Sequence, residues 1–187
     1  SYSVTGVQTC ALPIFKSIHQ KLRITFFMIT HDFSQLTFLA DRAAIVNQGK
    51  ILQQGSVNEL FQRPVDQFVA QFVGMKNVFP ARFEGLKAIV GDLEITLERI
   101  HGRPPRFVAI RPEDITLGDL SSVTNDVNSF QGLVKTVIDE GPYSEVLISV
   151  GDLTFVVVIT KSSIIRLQIV SEALIRLCVP PSAVHAL

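Results

Sequence analysis

Two short stretches place hydrogen-bonding and charged side chains where an apolar run stops. In the first, "ITFFMIT" (residues 24–30) ends at His31 and Asp32. A His at the carboxyl end of a buried, parallel-type strand stands where open α/β sheets place their ligands. Its ring nitrogens can donate or accept a hydrogen bond, so it can contact a phosphate oxygen or an attacking water. A surface His beside a helix-capping Asp gives the same sequence, and both readings stay open. In the second stretch, "ITKSSIIRL" (residues 159–167), an apolar strand runs directly into Thr160, Lys161, Ser162 and Ser163. Hydroxyls, an ammonium and the free N–H groups of a starting helix suit a small tetrahedral oxyanion. The alternative is that Ser162 or Ser163 caps the turn while Lys161 is solvated.

The other candidates read structurally. His19, His101 and His185 have no second His or carboxylate at metal-ligand spacing, so no metal site is expected. Arg111, Glu113 and Asp114 flank Pro112 in "IRPEDI", which reads as a turn tied by a salt bridge. Cys10 and Cys178 form neither a disulfide framework nor a metal pattern, and Cys178 reads as a small buried apolar residue.

Composition narrows the function classes. The 187 residues are 47% hydrophobic, with 17 Lys plus Arg against 17 Asp plus Glu. A balanced charge gives no global field toward nucleic acid or an anionic membrane, and the absence of Trp with only 2 Tyr leaves little for base stacking. Nucleic acid is therefore set aside as a partner. No window reaches the roughly 18 consecutive apolar residues of a membrane span.

The elements that must carry the two stretches follow from periodicity. A continuous apolar run such as "ITFFMIT" reads as a strand buried on both faces, followed by a helix over "FSQLTFLADR" capped by Asp32. The sequence "AAIVNQGKILQQG" reads as a hairpin with Gly49 supplying positive φ at the turn. Ser56 and Glu59 form an S-x-x-E capping box for a short helix that Pro64 ends. A further helix starts at Asp66 and stops at Gly74. This first region reads as α/β. From Met75 the texture changes to short β segments separated by Gly, Pro and Asp, from "VFPARFEG" to "TFVVVIT", which suggests a small barrel or sandwich of the oligonucleotide-binding type. "GDLSSVTNDVNS" (residues 118–129) reads as a loop within it.

The order "THD", "LADR", "NQGKI", "QGS..EL", "RP" and "FVAQFVG" resembles the C-terminal part of the ATP-binding subunit of an ABC importer. "NVF" and "FVAIRPEDI" resemble the transport-associated OB (TOBE) domain appended to such subunits. "NSFQGLVKTVIDEG", "EVLISVG", "ITKSS", "LQI" and "PSAVHAL" are similar to its molybdate- and tungstate-binding version, whose pattern has a Gly near Ser171 and Glu172 that this chain lacks.

The resemblance implies an α+β chain: a C-terminal piece of an α/β ABC ATPase domain over residues 15–74, then an all-β, OB-fold-like regulatory domain over 75–187. It implies that His31 is the switch histidine contacting the γ-phosphate and that Asp32 supports its loop. Thr160, Lys161, Ser162 and Ser163 would bind molybdate or tungstate. The parent protein would use ATP and Mg²⁺, pair as a homodimer and dock a transmembrane permease on the cytoplasmic face of the membrane. This chain carries no G-x-x-x-x-G-K-[ST] phosphate loop, signature motif or Mg²⁺-binding acid, so no ATP hydrolysis is expected of it alone. An iron, sulfate, sugar or polyamine importer stays open as an alternative, as does a stand-alone oxyanion store. Val4 to Ile14, "VTGVQTCALPI", resembles the in-frame translation of a sequencing-library adapter, and residues 1–14 are expected to be non-native.

Overall fold

The structure, a computed structural model, describes residues 5–100, 104–120 and 128–187, with side chains from residue 12 onward. The side chain of Cys10, residue His101 and most of the 118–129 loop therefore lie outside the described residues. Contacts divide the chain into two compact units, Ser1–Arg63 and Pro64–Leu187, a division that falls ahead of the change in texture at Met75.

In the first unit, α1 (Thr5–Leu22) takes in most of the adapter-like stretch and runs through Pro13. Then come α2 (Phe33–Leu39), β1 (Arg42–Asn47), β2 (Lys50–Ser56) and α3 (Val57–Gln62). The local signals hold. Asp32 accepts from the N–H groups of Ser34 at 2.8 Å and Gln35 at 3.3 Å, capping α2. β1 and β2 pair antiparallel around Gln48 and Gly49, both at positive φ (47° and 74°). Ser56 and Glu59 close a full capping box.

One expectation fails. Residues 24–30 form no strand: they are without regular structure, and Phe27 and Ile29 are 92% and 90% exposed. A strand apolar on both faces needs ladder partners along its edges and cover over both faces. No strand among the described residues pairs with this one. Phe26 is anchored to α1 by two ring contacts, edge-on to Phe15 at 5.9 Å and tilted against His19 at 6.2 Å.

The second unit starts with α4 (Gln67–Phe72), capped by Asp66, whose Oδ1 accepts from Val69 N–H at 2.8 Å. Gly74 (φ 94°) ends it, and Met75 N–H reaches back to Ala70 C=O at 2.9 Å, a Schellman closure. Ala70 and Met75 then bury against Ala109, which is why α4 groups with the β region.

The rest of the unit is β: β3 (Asn77–Pro80), β4 (Arg82–Glu84), β5 (Lys87–Val90), β6 (Leu93–Thr96), β7 (Phe107–Ile110), β8 (Thr116–Gly118), β9 (Asn128–Asp139), β10 (Tyr143–Val150), β11 (Leu153–Thr160), β12 (Leu174–Val179) and β13 (Val184–Ala186). A short helix, α5 (Lys161–Arg166), follows β11, and a 3-10 turn at Pro112–Asp114 joins β7 to β8. Three antiparallel sheets result, ordered β11-β10-β9-β12-β8, β13-β7-β3 and β4-β5-β6. One core closes them, with Phe155, Ile148, Leu177, Ile110 and Ile95 fully buried. The chain is thus mostly β with few helices, and most of its regular β structure belongs to the second unit.

Candidate functional site

His31 lies in the first unit and is exposed. The turn that carries it is built by its neighbours. Thr30 Oγ1 accepts from Asp32 N–H and donates to Gln35 Oε1, each at 3.0 Å. Asp32 is spent on capping α2, so the pair is a ring presented at the surface beside a carboxylate that holds the backbone.

The second stretch lies where β11 ends and α5 begins. Thr160 Oγ1 is the cap, accepting from Ser163 N–H at 3.3 Å, rather than Ser162 or Ser163. It also stands 2.8 Å from Ser162 Oγ and 3.0 Å from Ser163 Oγ, so the three hydroxyls share hydrogen bonds. Thr160 and Ser163 line a cavity of about 260 Å³, and Ser162 and Lys161 are not part of its wall. Lys161 turns to Asp139 at the end of β9, with Nζ 2.9 Å from Oδ2. Together with the Gly141 N–H, that ammonium holds the Asp139 carboxyl below its ordinary range, Lys161 contributing most.

Sequence reasoning missed the residues that complete this cavity. Arg166 supplies its cation from the last turn of α5, and Glu113 and Thr116 face in from the 3-10 turn and β8. One signal was present: Ser163 and Arg166 are three apart on a helix, which puts them on one face. The sequence marks Glu113 as a turn residue, and it does pair loosely with Arg111 at 3.9 Å. Beside it, burial is the main cause that raises the Asp114 carboxyl, with the Glu113 charge adding to it.

A cavity with a guanidinium, three hydroxyls, one carboxyl and apolar walls from Ile115, Ile159 and Leu167 can take a small polar ligand. The guanidinium selects an anion, and the hydroxyls of Thr160 and Ser163 can each donate to its oxygens.

The residues from Val108 onward match the TOBE domain model through 187. Residues 108–187 are a TOBE domain. The longer similarity is to import ATP-binding proteins. The molybdate/tungstate import ATP-binding protein WtpC of Pyrococcus horikoshii is 32% identical over 91% of this chain and 49% of its own length. WtpC of Pyrococcus abyssi is 32% identical over 80% of this chain and 43% of its length. The spermidine/putrescine import ATP-binding protein PotA of a Nostoc species is 36% identical over 68% of this chain and 36% of its length. The chain thus spans about half the length, or less, of the curated relatives it matches. A solved structure of the cytoplasmic molybdate-binding protein ModG with molybdate bound superposes with a TM-score of 0.48 at 14% identity, over 58% of this chain and 93% of that one, too loosely to carry functional weight. Among the described residues, no helix is long and apolar enough to cross a membrane.

Proposed function

We propose that this chain is the C-terminal part of the ATP-binding subunit of an ABC importer for molybdate or tungstate, and that its TOBE domain binds the oxyanion and regulates or couples uptake. The observation that carries the ligand reading is the convergence of Arg166, Thr160 and Ser163 on one cavity. Names among the relatives support two cargos, a molybdate or tungstate oxyanion and a polyamine. The cavity favours the oxyanion: a polyamine wants several carboxylates, and here Glu113 stands alone opposite a guanidinium.

In the whole subunit, His31 would contact the γ-phosphate of ATP and Asp32 would hold its turn. The exposed ring on a hydrogen-bonded turn fits one such contact and no more. Mg²⁺, when bound there, neutralises charge developing on the transferred phosphoryl group. The remaining phosphate-binding parts are not in this sequence, so the chain alone should neither bind nor hydrolyse ATP, and magnesium-dependent turnover by the purified chain would refute this. The subunit would pair with a second copy and dock a permease from the cytoplasmic side.

Titration calorimetry with sodium molybdate tests the ligand reading. Saturable heat is expected, together with a weakening of about tenfold or more in Arg166→Ala at unchanged thermal midpoint, because Arg166 is exposed and its loss leaves no cavity in the core. No heat at millimolar molybdate would end it.

A further inference from the structure

Asn77 opens β3 and is 1% exposed. Its amide makes a two-point clamp on Val156 in the middle of β11: Oδ1 accepts from Val156 N–H at 2.6 Å, and Nδ2 donates to Val156 C=O at 2.9 Å. The same Nδ2 also reaches Ile110 C=O, at the end of β7, at 3.3 Å. One side chain thus bonds two strands from different sheets, and takes the place of a ladder partner on the outer edge of β11.

The two strands it joins continue directly into the two walls of the cavity. After Ile110 the chain runs through Arg111 into Glu113, Ile115, Thr116 and Leu117, which form one wall. After Val156 it runs into Val158, Ile159, Thr160 and Ser163, which form the other. The turn at Pro112–Asp114 packs on β11 between them. We propose that Asn77 is a positioning residue: by fixing Val156 against Ile110 it sets the distance between the wall carrying Glu113 and Thr116 and the wall carrying Thr160, Ser163 and Arg166.

The molecule contains its own control. Asn128, 0% exposed, clamps Thr96 in the same way, accepting from its N–H at 2.7 Å and donating to its C=O at 2.8 Å. That clamp joins β6 to β9, and neither partner lines the cavity. Both amides satisfy buried backbone groups, so losing either leaves polar atoms stranded and costs comparable stability. Only the first should move the walls.

The positioning role extends the oxyanion reading, yet its test does not need a ligand. Hydrogen exchange is compared in the full chain for Asn77→Ala and Asn128→Ala. Asn77→Ala should exchange about tenfold faster at residues 113–117 and 158–163 together, while Asn128→Ala leaves both segments at their wild-type rates. Equal effects of the two variants, or an Asn77→Ala effect confined to Val156, would overturn the proposal. Should Asn77→Ala not fold, Asn77→Ser keeps a hydroxyl for Val156 but loses the second arm, and the wild-type protein gives a further reading. In it, the amides of both segments should share the opening free energy and denaturant dependence of Val156, and independent openings would again overturn the proposal. Molybdate affinity, where the wild type binds, should fall about tenfold in Asn77→Ala and stay put in Asn128→Ala. A wild type that binds no molybdate removes the ligand reading and leaves the exchange result to decide the positioning role.

Discussion

Lys161 Nζ lies 2.9 Å from Asp139 Oδ2, and this pair diverts the one ammonium of "ITKSS" away from the cavity its neighbours line. Both side chains are at least half exposed, so the pair adds little to stability. Its consequence is electrostatic. Asp139 cancels a positive charge next to Thr160 and Ser162. In Asp139→Asn the amide oxygen can still accept from Gly141 N–H, which Asp139 Oδ1 now does at 2.8 Å, and the turn survives. Lys161 is then left uncompensated. Molybdate affinity by calorimetry should rise about threefold to tenfold at low salt, and the gain should vanish near ~0.5 M salt. An unchanged affinity at low salt would mean that the cavity does not sense Lys161.

The turn after α5 carries a correctable strain. Glu172 sits at φ 66° and Gln168 at φ 50°, in the left-handed region that favours glycine. The backbone is held there because Glu172 N–H donates to Val134 C=O at 2.8 Å and Val134 N–H donates to Ala173 C=O at 2.9 Å. These bonds dock the turn on the β9 bulge, where Lys135 has no partner in β10. The Glu172 side chain has only an exposed contact with Lys135 at 4.0 Å to lose. Glu172→Gly should therefore stabilise by ~0.5–1 kcal/mol, after allowing for the freer unfolded chain, and raise the thermal midpoint by about 2–4 °C. A lower midpoint would show that the left-handed conformation costs Glu172 less than the added freedom of the unfolded chain.

Local signals carried most of what the sequence made legible. Asp32, Ser56 with Glu59, Asp66 and Gly74 each act through atoms within a few residues, and each cap lies where its sequence put it. The hairpin at Gln48 and Gly49 and the strands from β3 to β11 follow from the same short-range chemistry. What failed depends on distant partners. "ITFFMIT" has the composition of a central strand, but composition cannot supply the neighbours that a ladder requires. The oxyanion stretch was half legible: Thr160 and Ser163 lie on the cavity, whereas Lys161 is taken by Asp139, 22 residues away. Arg166 and Glu113 meet only because β11 packs against the 3-10 turn, and no spacing in the sequence announces that.

Gly132 in β9 has no room for a side chain. A Cβ there would stand 2.5 Å from Ile148 Cγ2, 2.9 Å from Leu177 Cδ1 and 2.9 Å from the Ser149 carbonyl oxygen. Ile148 and Leu177 are both fully buried, and the third atom is backbone, so none can swing aside cheaply. Gly132→Ala should destabilise by ~1–3 kcal/mol and lower the melting midpoint by about 3–10 °C. Gly151→Ala also strains its backbone, at φ 57°, but its Cβ meets open space, so it should leave the packing of the core intact. Near-ultraviolet circular dichroism and side-chain NMR shifts separate the two cases, and a Gly132→Ala protein with wild-type midpoint would contradict the packing described here.

His185 in β13 makes the stability of the second unit depend on pH. Its imidazole is held below its ordinary range, chiefly by burial and further by the charges of Arg111 and Arg99. A lowered folded-state value means that the unfolded chain binds the proton more readily. Well above pH 6.5 the ring is neutral in both states and contributes no slope. As pH falls below that value toward the folded-state value, the unfolded form gains protons first and stability declines, at up to ~1.4 kcal/mol per pH unit for one group. Asp114, raised by burial, acts in the opposite sense, but nearer the ordinary carboxylate range. Urea midpoints measured from pH 7.5 to 5.5 should therefore fall for the wild type. In His185→Gln the profile over that window should flatten, and an equally steep decline in the variant would assign the dependence to another group.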